Sequence, residues 1–285
     1  MPDRGTFVGV AWSASQSAGN QIVAAQLRCE PDRVRLSKLW RPFQEVPTLR
    51  NVIERMPAWL DEEMRWAEGR LTIGLDFPFS LAETNLRQLG ILRQAITGPR
   101  GLGRALSERY LPPGSHAAAA VDAVRAEIGR DLPRVTDCYR AVAPHPGKGA
   151  GLRRALLGIV AISGADAAFL PWDEPEAGKP TVVEVHPPHL PRALAGVVGY
   201  RDGDGQGRPA LRAAILRTLR AATRLRFEME EAAEIVGDGQ GTTLDAVLAA
   251  VAAASAQESD FRQVPHNVPR SEGWIYSIPD EPWRP

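Results

Sequence analysis

Cysteine is scarce: Cys29 and Cys138 are the only two in 285 residues. They form no CxxC and no Cys/His spacing, so neither a disulfide framework nor a zinc site is indicated, and a reducing compartment fits. Lysine is scarcer still for a basic residue. Lys38, Lys148 and Lys179 stand alone among 34 basic side chains, and the rest are arginine, the better bidentate partner for carboxylate and phosphate. GC-rich coding alone would produce that bias. An excess of either charge is also missing, because 34 acidic residues balance the 34 basic ones. No global field attracts nucleic acid or an anionic membrane, and any such binding must come from a local patch. Long apolar runs are absent too. The longest, around 155–162 and 246–254, fall well short of the ~20 residues a bilayer span needs. The start carries Asp3 and then a short strand-like run, which does not read as a signal peptide. The expectation is a cytoplasmic protein that crosses no membrane. Walker A, GxSxG and HExxH signatures and a GxGxxG following a strand are likewise missing.

What the chain does have is an apolar content of 44%, enough for an ordinary core, and a length that suits one large domain over 1–285. Three β-prone runs open it, at 7–12, 21–27 and 34–39. Over 47–68, Val52, Met56, Trp59, Leu60 and Met64 recur at helical steps, and Pro57 should kink or split that helix. A strand at 71–76 alternates Leu71, Ile73 and Leu75 and ends at Asp76. Residues from about 81 to 165 read as a helical insertion broken by Gly/Pro clusters. Strands follow near 167–170 and 181–185, then helices at about 209–236 and 243–256, and a last strand-like stretch at 273–279. Arg217, Arg220 and Arg224 form a solvated face opposite Leu211, Ile215 and Leu219. The predicted fold is an α/β mixed sheet of about five strands with helices on both faces.

The chemical signal is a set of carboxylates at element ends. Asp76 sits where a strand exits, Glu184 near the end of another, and Asp245 in the first turn of a late helix. An acid placed inside a sheet edge is costly to bury unless it is paired, hydrogen-bonded or holding a metal. The structural alternative is that Asp245 complements a helix dipole and Asp76 caps a turn. His186 and His189 flank a Pro-Pro step and read as structural. The glycine loop at 147–151 lacks Walker spacing, and the run at 202–207 lacks the closing glutamate of a calcium loop.

Several short blocks, in this order, make the sequence resemble the domain of unknown function 429 family. They are GVAWS at 9–13, IGLDFP at 73–78, RVTD at 134–137, EVHP at 184–187 with Tyr200 and Arg201, Asp245 with its alanine-rich helix, and EGWI at 272–275. The resemblance implies an RNase H-like fold and a nuclease using Mg²⁺ or Mn²⁺. Asp76, Glu184 and Asp245 would be the catalytic and metal-binding acids, and Trp12, Ser13, Arg134 and Arg201 the substrate contacts. The family pattern has an aspartate in the first strand where this chain has Ala11, which removes one expected metal contact. Two expectations follow. One is a metal-dependent phosphodiester hydrolase, impaired by Ala11; the other is a degenerate member that binds nucleic acid or a protein partner without cleaving it.

Overall fold

The computed structural model describes residues 5–30, 33–67, 69–139, 150–201 and 208–277. Strands β1 (Gly5–Ala11), β2 (Val23–Glu30) and β3 (Arg33–Trp40) form an antiparallel meander, with the short helix α1 (Ala18–Gln21) between the first two. Helix α2 (Leu49–Trp66) then leads to β4 (Arg70–Leu75), which lies parallel to β1 on its open side. Among the described residues six helices come next: α3 (Glu83–Gln88), α4 (Leu92–Ile96), α5 (Pro99–Tyr110), α6 (Ala117–Ile128), α7 (Val135–Tyr139) and α8 (Ala150–Ile162). The chain returns to the sheet through β5 (Ala168–Phe169) and β6 (Thr181–Val185). It continues through α9 (His189–Ala195), α10 (Arg208–Thr223), β7 (Leu225–Arg226), α11 (Met229–Gly237), α12 (Thr242–Glu258) and β8 (Ile275–Tyr276). The sheet order is β5-β6-β4-β1-β2-β3-β7, with β8 against β6. A meander whose first strand takes parallel partners on its other side, flanked by helices, is the RNase H-like α/β arrangement the sequence implied.

Each sheet face has its own core. On one face Phe7, Ala11, Val183 and Val185 pack against α12, which is buried from Thr243 to Ala256. The close approach of that helix depends on glycine. A Cβ at Gly9 would lie 2.1 Å from the Ala246 carbonyl oxygen and the Ala250 nitrogen, and one at Gly74 would lie 2.6 Å from the Ala249 oxygen. On the other face Val8, Val10, Ile73 and Leu75 pack with Met56 and Leu60 of α2 and Leu157 and Ala161 of α8. A third core, built around Leu86, Leu102, Leu106 and Val124, lies within the helices that follow β4, and α8 contributes Leu152, Leu156 and Ile159 to it. Helix α8 therefore serves both the sheet and the predicted insertion.

Three expectations need correction. Pro57 does not split α2, whose buried face of Val52, Met56, Trp59 and Leu60 spans the proline without a break. The single helix expected at 209–236 is helix, strand and helix. Arg224 takes a left-handed conformation at φ 54°, Leu225 pairs with Val34 of β3, and Glu228 with Glu231 forms a capping box that starts α11. An apolar period continuing through the break hid it. Among the described residues the sheet has eight strands where about five were expected: β5 and β8 fall inside the runs read at 167–170 and 273–279, while β7, two residues long, leaves no alternation to read.

Candidate functional site

β1, β4 and β6 are mutually parallel, so their carboxyl ends meet along one edge of the sheet, where α/β folds place their ligand crevices. Alternation then decides which face each side chain takes. Leu75 is in register with Glu184 and belongs to the α2/α8 core, so Glu184 turns to that face. Val10 is in register with Leu75, so Ala11 and Asp76 come next together; Ala11 packs in the α12 core, where Asp245 also lies. The three predicted acids therefore approach the edge from opposite sides: Asp76 and Asp245 share one, and Glu184 takes the other.

Each acid is met by an arginine. An Nη of Arg154, from α8, donates to Asp76 Oδ2 at 2.7 Å, and the Asp76 amide donates to the Val10 carbonyl at 3.1 Å. Arg201 donates to Asp245 Oδ2 while the Tyr200 hydroxyl donates to Oδ1. Glu184 receives both terminal nitrogens of Arg134, one at 2.8 Å, and the Phe79 amide at 2.8 Å. Asp137 fixes Arg134 from the far side, accepting from its Nη at 2.8 Å and from its backbone amide at 2.8 Å. Glu272 completes this layer, taking the Glu83 amide at 2.7 Å and the Val135 amide, so one carboxylate caps the starts of both α3 and α7. That is the role of the EGWI block, in which Gly273, at φ 73°, leaves room for the Trp172 ring.

Burial pushes the Asp245 carboxyl up to about 7, and repulsion from Asp76 adds to this; Arg201, the Tyr200 hydroxyl and Arg154 act the other way. The Asp76 charge thus reaches Asp245. Burial also raises Glu184, against the pull of Arg134 and the Phe79 amide. His186 is pushed down to about 4, first by burial and then by Arg154, Arg201 and His189, with Asp76 opposing. Its imidazole is neutral at neutral pH.

Of the predicted substrate contacts, Arg134 is only 3% exposed and is spent on Glu184 and Asp137, which makes it a structural cation. Trp12 is buried with its ring 5.1 Å from that of Phe77, and so offers no open stacking surface. Ser13 donates to Gln21 Oε1 at 2.8 Å and lines a groove with Arg153 and Arg154. Arg201 is 39% exposed and retains access to solvent. Sequence reading missed Arg154, which stands in no motif, and assigned no role to Tyr200, Asp137 or Glu272, although each stood in or beside a quoted block. The loop at 202–207 and residues 147–149 lie outside the described residues.

A small cavity of about 100 Å³ at the edge is lined by Asp76, Arg134, Arg154, Glu184 and His186. Among the described residues no three His, Cys, Asp or Glu side chains are placed to hold a metal ion. With Ala11 at the first-strand position and a guanidinium on every acid, the donor set does not fit the ion pair that two-metal hydrolysis uses. Among the described residues, no helix is long and apolar enough to cross a membrane.

The meander, the parallel strands beside it and the acids at their carboxyl ends define an α/β protein of RNase H-like architecture. The profile of the family described as Protein of unknown function (DUF429) matches residues 8–270, and the chain belongs to that family. Comparison with curated proteins and with solved structures finds no match.

Proposed function

We propose that this chain binds a single nucleic-acid strand through its backbone phosphates, as a member of its family that does not cleave by the two-metal route. The observation that carries this reading is a pair of adjoining grooves beside the acid site. One, of about 580 Å³, runs along residues 12–16 with Arg153 and Arg154. The other, of about 690 Å³, shares Gln16 and Arg153 with it and continues past Thr48, Arg50 and His116. Together they present Arg50, Arg153 and Arg154; Arg50 pairs with Glu54, the one acid lining them among the described residues, and Arg154 with Asp76. The starts of α2 and α6 open on the second groove, and neither has an acidic residue in its first turn. Arginines, hydroxyls and helix N-termini are the groups that hold phosphate. No exposed Phe, Tyr or Trp lines either groove among the described residues, and His116 is the one exposed aromatic ring there, which favours backbone contact over base stacking.

Hydrolysis, which the family resemblance alone would favour, requires Asp76, Glu184 and Asp245 to share Mg²⁺ or Mn²⁺. Ala11 and the arginine on each acid weigh against it. Fluorescence anisotropy with labelled single-stranded DNA and RNA, in EDTA and in Mn²⁺, separates the two. Binding in EDTA that Arg153→Ala weakens, with intact oligonucleotide recovered from Mn²⁺, is the expected result. Cleavage in Mn²⁺ that Asp76→Asn abolishes would establish the hydrolase instead.

A further inference from the structure

We propose that the guanidinium groups of Arg154 and Arg201 stand where a divalent ion stands in a metal-dependent RNase H-like site, so that the acid pair is neutralised from within the chain. Asp76 and Asp245 are each about 5% exposed and lie on the face that Ala11 shares. Two buried carboxylates on one face need positive charge close by. In a metal site an ion supplies it. Here Arg154 supplies one charge to Asp76 and Arg201 supplies one to Asp245, so the two acids and the two guanidiniums sum to zero.

The two arginines are held differently from Arg134. That residue is enclosed between Glu184 and Asp137 and is part of the frame. Arg154 and Arg201 are 22% and 39% exposed, and each reaches its acid through a single terminal nitrogen. Among the described residues the Nε of each is buried without a hydrogen-bond partner, so neither guanidinium finds there the full set of acceptors its five N–H groups could use. These are side chains laid into an acid site, not a closed ion-pair network. An aspartate at position 11 would add a third negative charge that two guanidiniums could not balance, which accounts for alanine beside them.

The test is thermal melting and titration calorimetry with MnCl₂, using EDTA as control. The parent should melt at the same temperature in both and show no saturable Mn²⁺ heat. The doubly substituted Arg154→Met, Arg201→Met protein should melt lower in EDTA, recover in Mn²⁺, and give a saturable isotherm that Asp76→Asn removes. Should the double variant fail to fold, Arg201→Met alone must show saturable Mn²⁺ heat that the parent lacks. A parent that gains melting temperature in Mn²⁺, with the gain lost in Asp76→Asn, overturns the proposal. So do folded arginine variants that ignore Mn²⁺. Oligonucleotide binding in the grooves is read through Arg153 in EDTA, so either result can fail without the other.

Discussion

At the scale of single residues, what distinguishes this edge is how its charges are paired. Arginine on Asp76, Glu184 and Asp245 turns carboxylates that would otherwise be costly to bury into ion pairs, at the expense of their availability as ligands. His186 and Asp245 respond to acid in opposite senses. Unfolded, His186 titrates near 6.5; folded, near 4. Between those values the unfolded chain binds more protons, so the stability His186 contributes is present above 6.5 and is lost as pH falls toward 4. Asp245 goes from an ordinary 3.8 unfolded to about 7 folded, so its contribution is present below 3.8 and is lost as pH rises through 7. Over the shared window the two slopes offset one another. His186→Asn removes one of them, and urea denaturation should then show the variant gaining stability relative to the parent as pH drops from 6.5 to 4. Parallel stability profiles would mean that His186 is not held neutral by the fold.

Among the elements, α12 matters most to the site, because it delivers Asp245 to the face where Asp76 emerges. Its alanines and the glycines beneath them allow that approach: Gly9 and Gly74 lie under the backbone around Ala246, Ala249 and Ala250. A methyl at Gly9 meets backbone atoms that have no rotamer by which to yield. Gly9→Ala should therefore cost on the order of 3 kcal/mol or more, the upper end for overpacking a core. Gly237→Ala is the matched control, since a Cβ there meets nothing within 4 Å. It should stay within about 1 kcal/mol of the parent. Chemical denaturation midpoints measure both, and equal effects would show that α12 can move away from the sheet without penalty.

For the whole molecule, the absence of net charge sets how nucleic acid would be held. No long-range field gathers the strand, so affinity comes from the groove arginines Arg50 and Arg153. Two phosphate contacts to a single strand give a slope of about −1.4 in log affinity against log salt. Anisotropy titrations across a salt series check this. A slope twice as steep would place the binding surface elsewhere on the chain.

Much of this was legible from the residues. The alternation of Leu71, Ile73 and Leu75 ending at Asp76, the helical period of α2 and the small-residue stripe of α12 are local patterns, because each reflects the face its own element must bury. Asp76, Glu184 and Asp245 could be nominated from their positions at element ends, and all three do lie near one edge. Other features were beyond local reading. The left-handed Arg224 and the two-residue strand β7 exist because of partners far along the chain, and they leave no period of their own. Whether the acids share a space depends on register: the pairing of Leu75 with Glu184 sends Glu184 to the face opposite Asp76, and no residue near either states that pairing. Arg154 lies 78 positions from Asp76, and Arg201 lies 44 from Asp245. Sequence placed the acids, because an element's end is a local property; tertiary structure alone decided their countercharges, because an ion pair depends on distance in space.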